Sequence, residues 1–184
     1  LGAIHAQRET FRDADTVRVH PIITKGGAAV NSVPADVRME TYVRASNVPA
    51  ILNASEKIDR ALRAGALATG ASVRIQTNPG YLPAKYDDNL TELYRNNASS
   101  LVGDDNVINR NHSTGCTDVG DVSQIIATIQ PTANATSGNG HGIDYLVDNY
   151  DLAVLKAGKA MGMTVIDLLA GNGATGNNIS GAFK

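Results

Sequence analysis

With 16 basic against 18 acidic side chains in 184 residues, the chain has a net charge of −2 and lacks the basic footprint of a nucleic-acid binder. Its single cysteine, Cys116, excludes an internal disulfide and a CxxC metal clip, and fits a reducing, cytoplasmic setting. No apolar run approaches the ~20 residues of a membrane-spanning helix and no secretory signal is visible, so neither nucleic acid nor membrane is expected as a partner.

The length suits one large domain or two small ones. Residues 1–12 read as a helix with Ile4 and Phe11 on one side, broken by Asp13-Ala14-Asp15. The chain opens at Leu1, in what reads as mid-helix, so a C-terminal fragment of a longer protein is expected. Thr16–Thr24 alternates, with Val17, Val19, Pro21 and Ile23 on one face and Arg18, His20, Ile22 and Thr24 on the other, which predicts a strand with one buried face. Pro21 puts that strand at an edge, because proline cannot donate to a ladder. Asp36–Arg44 alternates again, with Val37, Met39, Thr41 and Val43 opposite Arg38, Glu40, Tyr42 and Arg44. Asn47 followed by Pro49 starts a helix, with a capping side chain and a proline in the first turn. Ile51, Leu52, Ile58, Leu62 and Ala66 recur at helical spacing, and Gly70 suits the position after the last turn. Val73 and Ile75, alternating with Ser72, Arg74 and Gln76, predict a third strand, stopped by Asn78-Pro79-Gly80. Helix, strand, strand, helix, strand is a ferredoxin-like split β-α-β unit without its first, central strand.

Tyr81–Tyr86 reads as a connector and Leu90–Leu101 as a short helix, followed by a Gly103-Asp104-Asp105 turn. The stretch His112–Tyr145 then combines a polar loop, an apolar run at Gln124–Ile129 that predicts a buried strand, and a loop with an isolated histidine, Gly140-His141-Gly142. Asp118, Asp121 and His141 are the densest set of hard ligands in the chain. Their spacing alone leaves capping or solvated roles open, and six Asn-x-Ser/Thr sequons read as products of an Asn-rich composition. Asp148 is placed to cap a long final helix, with Asp151 in its first turn and Leu152, Leu155, Val165, Ile166 and Leu169 on its apolar side. Gly158 and Gly162 each cost about 1 kcal/mol against alanine inside a helix, which close approach to a sheet would explain. Gly171–Lys184, rich in Gly and Asn, reads as a loose tail.

Three motifs carry a resemblance. They are Arg18-Val-His20-Pro-Ile-Ile-Thr-Lys-Gly26-Gly27-Ala-Ala-Val-Asn31-Ser-Val-Pro34, then Tyr42-Val-Arg44-Ala45, and then Gly115-Cys-Thr-Asp118-Val-Gly120-Asp121-Val-Ser123 followed by the His141 loop. In order and separation, across about residues 1–170, the chain resembles the M20 family of metal-dependent peptidases and amidohydrolases, in the branch of aminobenzoyl-glutamate hydrolases and amidohydrolase-like dipeptidases. The resemblance implies an α/β fold class: an α+β ferredoxin-like lid and dimerisation domain at 1–80, and the C-terminal part of an α/β zinc-peptidase-like catalytic domain at 81–184. It implies hydrolysis of an amide in an N-acyl or aminobenzoyl amino acid, or in a dipeptide, by water activated on one or two Zn2+ or Mn2+ ions. His141 matches the last metal ligand. Asp118 stands where the family has an acidic residue near the metal, orienting a ligand or touching substrate. His20, Asn31 and Arg44 match lid residues that bind the substrate amide and carboxylate. Cys116 stands for a small residue, Asp121 is structural, and His112 has no counterpart.

The family's catalytic glutamate and other ligands lie upstream of anything present here. The implied partners are therefore the missing N-terminal part of the same protein, a small-molecule amide or dipeptide, and a second copy docked through the lid. On its own the fragment should be inactive. The alternative is a non-catalytic oligomerisation or small-molecule-binding module on the same fold.

Overall fold

The computed structural model describes residues 1–110 and 115–183. The chain forms two compact units. One is Leu1–Pro83 with a short segment that ends at Asp118, and the other runs from Ala84 onward apart from that segment.

The first unit is a hairpin with helices. Helix α1 (Gly2–Ala6) leads through two 3-10 turns into strand β1 (Arg18–Lys25). Strand β2 (Arg38–Arg44) pairs antiparallel with it, from Arg18 opposite Arg44 to Ile23 opposite Met39, with a bulge before Lys25. Alternation is visible in the burial of both strands: Val19, Pro21, Met39, Thr41 and Val43 are half-buried, whereas Arg18, His20, Glu40 and Tyr42 are exposed. At the open end Asp36 binds Lys25 at 2.9 Å and Arg38 at 3.0 Å. These two cations hold its carboxyl down at about 2, with Lys25 the larger influence. A carboxylate depressed in the folded state stabilises it fully above its ordinary value near ~3.9 and loses that contribution as pH falls through the folded value. The hairpin end is therefore expected to loosen only as pH falls from about 4 towards 2. Amide exchange of residues 24–38 measured across that range checks this, and Asp36→Asn should abolish the pH dependence. The site is exposed, so the effect is small and screened by salt.

Helix α2 (Val48–Ala68) starts where the sequence says it should. The Asn47 side chain accepts from the Ala50 N–H at 2.9 Å, Pro49 sits in the first turn, and Gly70 turns left-handed at φ 66° beyond the end. Its buried stripe is Ala50, Ala54, Ile58 and Ala61, at spacings of four and three. Three alanines and one isoleucine let the helix lie close, and they make Ile58 the largest wholly buried side chain of the unit. The third strand expected at 72–76 is absent: residues 71–87 form neither helix nor strand. A strand exists only by pairing, and this run finds no partner among the described residues. The β1–β2 hairpin is therefore the only sheet of this unit among the described residues.

The second unit is built on two helices. Asp87 caps α3 (Asp88–Val102) through the Leu90 N–H at 2.8 Å. The final helix begins with a π-helical turn at Asp151–Lys156 and continues as α5 (Ala157–Ala182). The expected cap, Asp148, is displaced by Asn149, whose side chain accepts from the Leu152 N–H at 3.0 Å. The face of α5 that packs on α3 is small and polar. Buried Asn97 donates to Thr164 Oγ1 at 3.2 Å and to Asp167 Oδ2 at 2.8 Å. Of the expected apolar side, Leu152 is half-buried, whereas Leu155, Val165, Ile166 and Leu169 are exposed.

Two further expectations fail. The run 124–129 forms no strand, and Ile125 is 76% exposed: the Gln124, Ile125 and Ile126 N–H groups turn back to the Asp121 and Val122 carbonyls, the Thr128 carbonyl accepts from the Asp87 N–H at 3.0 Å, and no ladder forms. The tail is not loose. Gly171, Asn172 and Gly173 all adopt positive φ and reverse the chain, after which a last helical segment buries Ile179 and sets Phe183 5.1 Å beneath the Lys85 ammonium. No helix of the described residues is long and apolar enough to cross a membrane.

Candidate functional site

The sequence-predicted site residues divide between the two units. His20, Asn31 and Arg44 belong to the first unit, whose last residue is Asp118, and His141 belongs to the second.

Antiparallel register decides what the hairpin presents. Residues directly opposite each other share a face, so Arg18 with Arg44 and His20 with Tyr42 form one patch. Sequence alternation put His20 and Arg44 on the polar faces of their strands, and pairing makes it a single face. Arg44 is half-buried, with its guanidinium 5.2 Å from the centre of the Tyr42 ring. Arg18 was given no role by sequence reasoning. It stands directly opposite Arg44, which only the register could have revealed. Asn31 sits apart, exposed, in the long β1–β2 connection where the Ser32 N–H reaches the Ala29 carbonyl at 3.3 Å.

In the second unit a two-residue ladder, β3 (Thr136–Ser137) with β4 (Leu146–Val147), closes a loop over 138–145. The loop is tightly folded. The Gly142 N–H donates to the Asn139 carbonyl at 2.7 Å, and a Cβ at Gly138 would be driven into the Asp144 carbonyl. His141 lies at its tip, exposed, with φ 66°. Non-glycine residues rarely take this conformation, and here glycines flank the histidine on both sides. The imidazole is open to solvent and fits a metal as a single ligand. Among the described residues no three His, Cys, Asp or Glu side chains gather as an ion-binding group, so these residues alone do not make a metal centre. Asp118 is exposed at the first residue of α4 (Asp118–Val122). Asp121 is exposed in the same short helix, and Cys116 is half-buried. His112 lies outside the described residues. Ser123 is wholly buried, accepting from the Lys85 N–H at 2.9 Å and donating to the Gly120 carbonyl at 2.7 Å, which anchors the end of α4.

No family profile matches the chain. Over 164 residues, 84% of its length, it is 30% identical to the Xaa-Arg dipeptidase of Mus musculus and 27% identical to the Xaa-Arg dipeptidase of Homo sapiens. The chain spans 38% and 37% of those two proteins, so its similarity is to a little over a third of a dipeptidase.

Proposed function

We propose that this chain is the lid-bearing, C-terminal portion of an M20-type metal-dependent hydrolase that cleaves an amide bond in an N-acyl or aminobenzoyl amino acid or a dipeptide. The observation that carries the reading is the 30% identity held over 164 residues to a dipeptidase. The hairpin supports it chemically, because Arg18, His20, Arg44 and Tyr42 share a face that suits a substrate carboxylate and amide. In this reading Arg44 clamps the carboxylate, His20 and Asn31 donate to the amide carbonyl, and Asp118 orients a ligand or touches substrate. His141 contributes one imidazole to a Zn2+ or Mn2+ site whose other ligands lie outside the matched 164 residues. An ion there would supply Lewis-acid polarisation of the amide and a more acidic bound water.

The test uses a protein that spans the relatives' whole length, assayed on a panel of dipeptides and N-acyl amino acids. Arg44→Ala is expected to raise KM about tenfold or more for carboxylate-bearing substrates, with little change for the corresponding amides, as one lost charge-assisted contact requires. Equal KM values for the two substrate forms would remove Arg44 from the site. Absence of amide turnover across the panel with metal supplied would overturn the reading.

A further inference from the structure

A cleft of about 250 Å³ opens between α1 and the start of β1, within the first unit. Arg8, Arg18, His5 and His20 line it, together with Ile4 and Phe11. None of its lining groups is a carboxylate, although Glu9, Asp13 and Asp15 lie on the same segment. A further cation reaches its wall: the Lys57 ammonium bonds the Thr10 carbonyl and stands 5.2 Å over the Phe11 ring. Arg8 and Arg18 make no ion pair among the described residues.

Two permanent guanidinium charges and an ammonium gathered around one concavity repel each other, and the two imidazoles beside them add donors without negative charge. A bound anion removes that cost, and a cleft walled in this way focuses the field that draws an anion in. The apolar wall narrows the class. A compact, strongly hydrated dianion would lose its water against Ile4 and Phe11 with nothing to replace it. A monocarboxylate with an apolar body satisfies both halves, its planar head in the guanidinium fork and its body on the ring.

We infer that this cleft binds a small organic carboxylate with an aromatic or aliphatic body, through Arg8 and Arg18. The cleft shares Arg18 and His20 with the hairpin face of the hydrolytic reading, which gives Arg8 no part, but the inference stands on the cleft's own lining and does not rest on that reading. The volume suits a ligand of one ring and a short chain.

The test is titration of the 184-residue chain with phenylacetate, with phenethylammonium as the cation of matching shape and inorganic phosphate as the hydrated anion, followed by amide chemical shifts. Phenylacetate should saturate and shift the resonances of residues 4–20, while the other two should not. Arg8→Ala with Arg18→Ala should weaken phenylacetate about tenfold or more, and Arg8→Lys should recover part of the loss, since lysine keeps the charge without the fork. All these side chains are exposed, and an unchanged circular dichroism spectrum confirms a folded variant. Equal binding of phenylacetate and phenethylammonium, phosphate binding as tightly as phenylacetate, or a double variant that binds like the parent would each overturn the inference. Amide turnover enters none of these readouts, so failure here and failure of the hydrolytic reading are separate events.

Discussion

His141→Gly, made in a protein that spans the relatives' whole length, is expected to lower bound Zn2+ or Mn2+ and to reduce amide turnover at least about a hundredfold, without loss of stability. Loss of an outer-shell partner of a metal ligand already costs about 10–100-fold, and loss of a ligand itself costs more. The choice of glycine follows from the backbone. His141 holds φ 66°, a conformation that costs an L-residue roughly 1–2 kcal/mol and glycine almost nothing. Removing that strain offsets the extra freedom glycine gains in the unfolded chain, so the thermal midpoint should stay level or rise slightly. The usual His→Ala exchange would leave the strain in place and confuse metal loss with loop distortion. Elemental analysis and a melting curve on the same sample separate the two. A variant with full metal content would show that His141 is a loop residue only, and its left-handed backbone would then need another cause.

The left-handed histidine illustrates what can be read from residues and what cannot. An isolated histidine between two glycines draws notice in a sequence, but nothing there says which of the three takes the positive φ. Local rules worked where both partners of an interaction lie near each other in the chain. Asn47, Pro49 and Gly70 bound α2 because a cap, a first-turn proline and a left-handed terminus act within four residues. Alternation placed β1 and β2 because the half-buried residues of a hairpin fall on one face, although Ile23 and Val37 at its open end are exposed. The failures needed distant partners. Residues 72–76 and 124–129 have the composition of strands, but composition supplies no neighbour, and neither run pairs. The Gly/Asn tail contains its own reversal at Gly171–Gly173, which lets Ile179 become buried, and Gly/Asn content on its own suggested looseness. For the candidate site, alternation was enough to orient His20 and Arg44. The pairing of Arg18 with Arg44 required the register, and the gathering of Arg8 with Arg18 required the fold of residues 1–20.

The second large effect concerns the core of the first unit. Ile58→Ala is expected to destabilise it by about 2–5 kcal/mol, the range for deleting a buried isoleucine side chain without collapse of the cavity. Collapse is unfavourable here for a specific reason. Ile58 is 2% exposed and shares its helical stripe with Ala50, Ala54 and Ala61, whose methyl groups have no rotamers with which to fill a void. A helix held by small residues gains its close approach at the cost of redundancy, so one isoleucine carries a large share of the packing. For a unit of this size a loss of that order approaches the whole margin of stability. Denaturant unfolding of Ile58→Ala followed by amide exchange should show residues 1–83 opening first. Leu67→Ala, on the same helix but 82% exposed, serves as the control and should stay within about 0.5 kcal/mol of the parent. Ile58→Val distinguishes a cavity from a general intolerance, since losing one methyl group should cost only about 0.5–1.5 kcal/mol. If Ile58→Ala and Leu67→Ala proved equally mild, the unit would owe its stability to the β1–β2 hairpin rather than to the α2 stripe. The His20–Arg44 face would then be held independently of α2.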